Sequence, residues 1–168
     1  MKAILMSIRT EWCDLIIRRK KTVELRKTCP RLQTPFKVYI WCTKARTFWA
    51  RVHGNGWQQL DERVIGEFIC DDIRRIGPEY CVVKEDIESA ISGSCLTVPQ
   101  VKDYAGWKSG MSYADLKDLY GWNISDLKIY DEPVKLKNFQ AKRLDRRGGG
   151  LKDVCDPPQS WFYVEDGR

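Results

Sequence analysis

Several apolar stretches of this chain are short and alternate with a period of two, bounded by glycine and proline. None approaches the roughly 20 residues that a membrane span needs. That pattern limits the chain to short strands, and the strands do not alternate regularly with helices as a parallel α/β sheet requires. Ala3 to Ile8 reads as a strand. Thr10 is placed to cap a helix from Glu11 to about Arg18, with Trp12, Leu15 and Ile16 on its apolar side. Thr22 to Lys27 alternates and stops before Pro30; Phe36 to Cys42 alternates again. Lys44 to Leu60 reads as irregular, with Gly54 and Gly56. Arg63 to Ile73 reads as a long strand, and Gly66 inside it points to a bulge or a barrel bend.

Gly77-Pro78 marks a turn, and Glu85 to Ile91 a short helix. Thr97-Val98-Pro99-Gln100 has the spacing of a capping box and opens a helix ending near Gly106. Ser112 opens a further helix, expected to stop at Gly121. Trp122 to Tyr130 reads as a strand, and Pro133 to Phe139 as a connection with a helical turn. Lys142 to Lys152 reads as a basic loop around Gly148-Gly149-Gly150, before a last strand from Ser160 to Glu165. The expected fold is α+β: a mixed β-barrel of about six strands decorated by short helices. With 168 residues, 1–168 is expected to form one domain.

Charge is distributed unevenly. Residues 1–60 hold 13 Lys or Arg against Glu11, Asp14 and Glu24, a balance of +10; the remaining 16 bases and 20 acids give −4. The densest cluster is Arg18-Arg19-Lys20-Lys21, followed by Arg26 and Lys27. Such a face suits a polyanion, although it would also serve as a solvated surface. Trp41, Trp49 and Trp57 are interleaved with the bases, and aromatic faces beside cations are what unpaired bases stack on.

Seven cysteines are present, without C-x-x-C spacing. Several lie in apolar stretches, such as Cys42 and Cys70, so free thiols in a reducing cytoplasm are expected, with no metal site. Met1 to Ile8 is followed by no cleavage signal, so no secretory peptide is expected. His53 is the single histidine, which removes Ser-His-Asp, Cys-His and multi-histidine arrangements. Phosphate-cradling glycine loops are absent from the sequence, and no cofactor is expected.

One short stretch carries more chemistry than its surroundings. In Arg19-Lys20-Lys21-Thr22-Val23-Glu24-Leu25-Arg26-Lys27, alternation puts Glu24 and Arg26 on one side of a strand, about 6–7 Å apart, with Lys21 at its start. An acid between two bases stays ionised and orients them. The trio can hold a phosphate with its cations and a base edge with its carboxylate. A buried lysine beside a carboxylate can also serve acid–base chemistry. A strand-edge ladder of ion pairs is the plainer reading.

The pattern Ser7-Ile8-Arg9-x-Glu11-Trp12, continued by Lys21-Thr22-x-Glu24-x-Arg26-Lys27, resembles the ASCH family of the PUA-like superfamily, of the kind common in bacterial and phage genomes. That family is marked by G-x-K-x-x-E-x-R after a first strand and helix. Lys21, Glu24 and Arg26 match, while Arg19 stands where glycine is usual. Val64-Ile65-Gly66-Glu67-Phe68, Trp122 to Leu127 and Pro157-Pro158-Gln159-Ser160-Trp161 resemble later strands of the family. The resemblance implies a PUA-like barrel with a cleft between barrel and helix, serving to bind nucleic acid. The related YTH and EVE folds hold a modified base in an aromatic-walled pocket.

Taken together, the chain is expected to bind RNA or single-stranded DNA in a basic cleft, with no membrane partner. Lys21, Glu24 and Arg26 would form its centre, joined by Ser7, Arg9, Arg19, Lys20, Thr43, Lys44 and Trp161. Trp161 and Trp12 read more readily as core, and Lys142, Arg143, Arg146 and Arg147 more readily as a solvated loop than as a track. The alternative is a small hydrolase, an N4-acetylcytidine amidohydrolase or a ribonuclease, with Lys21 and Glu24 catalytic. The amidohydrolase branch resembles K-T-x-T-x-R, so Glu24 replaces its threonine hydroxyl, and a carboxylate cannot take that role unchanged. A third reading is a protein-interaction module.

Overall fold

The computed structural model describes residues 2–45, 48–51, 56–77, 79, 84–108, 110–139, 141–144 and 150–165. Within them the chain runs β1 (Lys2–Ile8), α1 (Thr10–Ile17), β2 (Val23–Arg26), β3 (Phe36–Cys42), β4 (Trp49–Arg51) and β5 (Trp57–Gln59). It continues through β6 (Arg63–Cys70), β7 (Ile73–Ile76), α2 (Lys84–Ala90), α3 (Val98–Ala105), β8 (Leu119–Asn123) and β9 (Ser125–Lys135). β10 (Lys142–Leu144), β11 (Leu151–Asp153) and β12 (Trp161–Glu165) complete it. A seven-stranded sheet has the order β11-β10-β12-β1-β3-β6-β9; a three-stranded sheet is ordered β2-β8-β7, and β4 and β5 form a separate ribbon.

β1 is central and reads as an unbroken apolar run because both of its faces are covered. Ile4, Met6 and Ile8 point into a core shared with Cys13 and Ile16 of α1 and with Trp122 of β8. Ala3 and Leu5 point the other way, toward Leu136, Phe139 and Val154. β3 runs parallel to β1, with Ile8 opposite Cys42, while its other neighbour, β6, is antiparallel. The outer face of the three-stranded sheet carries Leu25, Ile76 and Leu119 against Ile87 of α2 and Val101 of α3.

The α+β class holds, but strands are more numerous than about six, and the sheets as described are not closed into a barrel. Two expected long strands each turn out to be two. Arg63 to Ile73 breaks at Asp71-Asp72, where Asn123 Nδ2 donates to Asp71 Oδ1 at 2.7 Å, and the chain crosses from the large sheet to the small one. Trp122 to Tyr130 breaks at Ile124, whose N–H leaves the ladder to donate to Thr22 O at 2.8 Å, and the chain crosses back.

Other local expectations need correction. Arg9, not Thr10, is the N-cap of α1, without a side-chain cap. The helix expected from Ser112 is a single 3₁₀ turn, Tyr113–Asp115. Trp107 Nε1 then donates to Lys117 O at 2.8 Å, and Leu119, fully buried, opens β8. The stretch 44–60 contains the β4–β5 ribbon, and 142–152 contains β10 and the start of β11. Arg46, His53, Pro78, Arg146, Arg147 and the first two glycines of the 148–150 triplet lie outside the described residues. The bulge expected near Gly66 is present as a register shift between Val64 and Gly66. The capping box of α3 forms as expected, with Gly106 in the left-handed region at its end.

Candidate functional site

Between α1 and β2 the chain turns tightly. Arg19 has φ 57, a left-handed value, and the N–H groups of Lys20 and Lys21 both donate to Leu15 O, at 2.8 and 3.1 Å. The N–H groups of Thr22 and Val23 then both donate to Gly93 O, at 2.8 and 3.1 Å. Gly93 has φ +79, and a Cβ there would run into Thr22 Oγ1, so glycine is required on both counts. The clamp delivers the next carbonyl, that of Ser94, to the Lys21 ammonium at 2.6 Å.

Lys21, Glu24 and Arg26 are 2%, 6% and 8% exposed, so the trio is not a surface ladder. Lys21 Nζ lies 3.3 Å from Glu24 Oε2, and Arg26 Nη2 lies 3.0 Å from Glu24 Oε1. Arg26 Nη2 also donates to Ser7 O at 2.6 Å, which ties β2 to β1 across the two sheets. Arg26 Nη1 reaches Ser160 Oγ at 3.4 Å, and Ser7 Oγ donates to Pro158 O at 2.5 Å. Two buried cations around one carboxylate leave a charge of +1. Each ion would be prohibitively costly alone; pairing and hydrogen bonds make the group tolerable in the interior. Arg26 Nε has no hydrogen-bond partner among the described residues.

This cluster forms the floor of a cleft of about 330 Å³. Trp12 of α1 supplies one wall, with its ring 5.2 Å from Lys21 Nζ. The opposite wall is α3, where Gln100, Asp103 and Tyr104 share a face through their i, i+3, i+4 spacing. Leu25 and Leu96 add apolar lining. Burial raises the Tyr104 phenol above its ordinary pKa; nearby Arg26 opposes the shift and Glu24 reinforces it. Lys27 Nζ lies 5.0 Å from the centre of that ring, a cation–π distance. Arg9 stands at the rim, largely exposed and 3.9 Å from Glu11.

Five of the ten expected site residues line this cleft: Ser7, Arg9, Lys21, Glu24 and Arg26. The others lie outside its lining. Arg19 donates through Nη2 to Leu127 O at 3.2 Å, and Lys20 gives its carbonyl to Cys95 Sγ at 3.3 Å. Thr43 and Lys44 follow β3, with Thr43 N bonded to Ile8 O. Trp161 packs between Trp122 and Tyr163, at 5.7 and 5.5 Å between ring centres, and its Nε1 donates to Thr28 Oγ1. The α3 wall was missed because its capping box announces a helix but not what the helix faces.

The fold and the floor of the cleft thus define an α+β protein of packed sheets with a buried Lys-Glu-Arg cluster. No protein-family model and no curated protein matches the sequence. Among solved structures, the ASCH protein of Zymomonas mobilis superposes with a TM-score of 0.62 at 18% identity, covering 97% of this chain and 87% of that one. A serine-to-alanine mutant of the Z. mobilis protein gives 0.61 at 17%, covering 97% and 88%. A tyrosine-to-phenylalanine mutant gives 0.58 at 17%, covering 98% and 91%. The chain has an ASCH-like fold. Among the described residues no helix is long and apolar enough to cross a membrane.

Proposed function

We propose that the protein binds RNA or single-stranded DNA and takes one unpaired base into the cleft between β2 and α3. The observation that supports this best is the pairing of a desolvated, charged floor with two aromatic walls, Trp12 and Tyr104. A base offers flat faces for the rings and a polar edge for the floor, whereas a bare phosphate needs no aromatic wall. Glu24 accepts from amino or imino hydrogens, and Arg26 donates to ring nitrogens or carbonyls. Arg9 and Lys27 at the rim meet the flanking phosphates. The position of Lys21 favours binding over hydrolysis. It is held by Ser94 O and Glu24 Oε2, and Glu24 is engaged by two cations where the amidohydrolase pattern has a free hydroxyl.

Fluorescence anisotropy with short RNA and single-stranded DNA, at about 50 and about 200 mM salt, tests the reading. Binding should weaken with salt, with a slope of about −0.7 per phosphate engaged. No binding at low salt, or binding that ignores salt, defeats it. Incubation with N4-acetylcytidine and with single-stranded RNA should show no turnover. Turnover lost in Lys21→Ala would replace the binding module with a hydrolase or nuclease.

A further inference from the structure

Ser7 and Arg9 border the cleft at one end of the large sheet, and that end carries further cations. β1 and β3 are parallel and finish side by side, Ile8 opposite Cys42, so Arg9 and Lys44 leave the sheet at the same end. Cys42 is opposite Arg63 at the start of β6, and Arg63 is opposite Lys135 at the end of β9. Strand after strand, this end carries Arg9, Lys44, Arg63 and Lys135, with neighbouring strands about 4.8 Å apart. Like charges directly opposite one another across a ladder are unfavourable. Arg63 and Lys135 nonetheless occupy such a pair, and with Lys137 they line a shallow concavity whose one acid is Glu132.

Beside this concavity stands the β4–β5 ribbon, anchored where Gln58 Nε2 donates to Asp131 O at 2.7 Å. Its ladder pairs Trp49 with Gln59 and Arg51 with Trp57. Trp49 and Trp57 therefore share the face opposite to the buried Ala50, as diagonal neighbours. They are 51% and 66% exposed, the largest exposures among the large apolar side chains described. Two exposed tryptophans on one face of a ribbon, next to the cations of the concavity, form a surface that stacks bases while the cations meet phosphates.

We infer that the sheet end and the ribbon form a second contact for the same ligand: a single-stranded nucleic acid that places one base in the cleft runs past Arg63 and Lys135 and stacks on Trp49 and Trp57. The inference rests on the proposed function and extends it from one nucleotide to a track. Charge selects the partner, since Arg63, Lys135 and Lys137 outnumber Glu132 in the concavity, and Arg9 and Lys44 at the same sheet end face only Glu11 and Glu62 among the described residues there.

The test compares a dinucleotide with a strand of about ten nucleotides, each as RNA and as DNA, on the parent and on two variants. Trp49→Ala with Trp57→Ala alters only exposed rings, and circular dichroism and a thermal melt confirm its fold. The longer strand should bind this variant about five- to hundredfold more weakly, and the dinucleotide should bind unchanged. Lys135→Gln with Lys137→Gln should reduce the salt slope for the longer strand by about 1.4, and leave the dinucleotide slope unchanged. RNA binding more tightly than DNA in the dinucleotide assay alone would put any 2′-hydroxyl contact in the cleft and leave the track standing. If the tryptophan variant binds the longer strand like the parent, the track is wrong while the cleft reading survives. If the parent binds neither length, both fall. If the tryptophan variant changes only self-association, seen by size-exclusion chromatography, the ribbon is a protein contact and the inference is overturned.

Discussion

The Lys21 ammonium and the Ser94 carbonyl, 73 positions apart in sequence, meet at 2.6 Å inside the protein. This bond joins the residue ahead of β2 to the segment that leads into α3, and so ties the floor of the cleft to one of its walls. Removing Lys21 leaves that carbonyl and half of the Glu24 carboxylate buried without a cation. Lys21→Ala should therefore lose about 3–5 kcal/mol of stability, read from urea unfolding. A change under about 1 kcal/mol would mean that the cluster is solvated.

Arg19 occupies left-handed backbone at φ 57, where glycine carries no Cβ penalty. Its side chain recovers part of that penalty through an exposed hydrogen bond to Leu127 O. Arg19→Gly should gain up to about 1 kcal/mol, or a rise of about 2–4 °C in Tm for a chain of this size. A fall in Tm would show that the bond to Leu127 outweighs the strain.

Burial, with Asp71 adding to it, pushes the Cys70 thiol up to about 12 from its ordinary 9.0. The unfolded thiol ionises first, so the stabilising contribution is complete below about pH 9 and declines as pH rises toward 12. Cys13 is raised in the same direction by burial and by its hydrogen bond with Cys42. Unfolding midpoints in urea should fall between about pH 9 and 11, and fall less in Cys70→Ser. That variant keeps a donor for Asp72 O, the present partner of the thiol. Parallel curves for parent and variant would remove Cys70 as a cause.

Tyr104 borders the cleft at 36% exposure and touches the charged floor only through space. Tyr104→Ala should weaken nucleic-acid binding by about 1–3 kcal/mol, the range for one stacked base, with under about 1 kcal/mol lost in stability. Unchanged binding would show that α3 is a passive wall.

How much of this was legible in the sequence depends on the range of the interaction concerned. The β1, β2 and β3 strands and the α3 capping box are set by local alternation and by hydrogen bonds three residues apart, and they appear where expected. The grouping of Glu24 with Arg26 follows from the two-residue repeat alone. Burial of the trio did not, because it depends on Ser7, Ser94 and Ser160, which come from three distant segments. A charge run beside Lys21 reads as surface until those serine oxygens, two carbonyls and one hydroxyl, are in place. The two sheet crossings escaped for the same reason: Arg63 to Ile73 reads as one long strand, while Asn123, more than 50 residues away, bonds Asp71 where the chain passes into the other sheet. The helix expected from Ser112 failed because Leu119 is buried against the helices α2 and α3, a tertiary demand that overrides local propensity.

The most direct test of the central claim is a titration of the isotopically labelled protein with a single-stranded oligonucleotide of about ten nucleotides, followed by amide and indole NMR shifts. The account predicts that the indole N–H of Trp12, the amides of residues 21–26 and those of residues 94–104 move together and saturate at one affinity. Shifts that leave those three segments unmoved while others respond, or none at all at low salt, would contradict it.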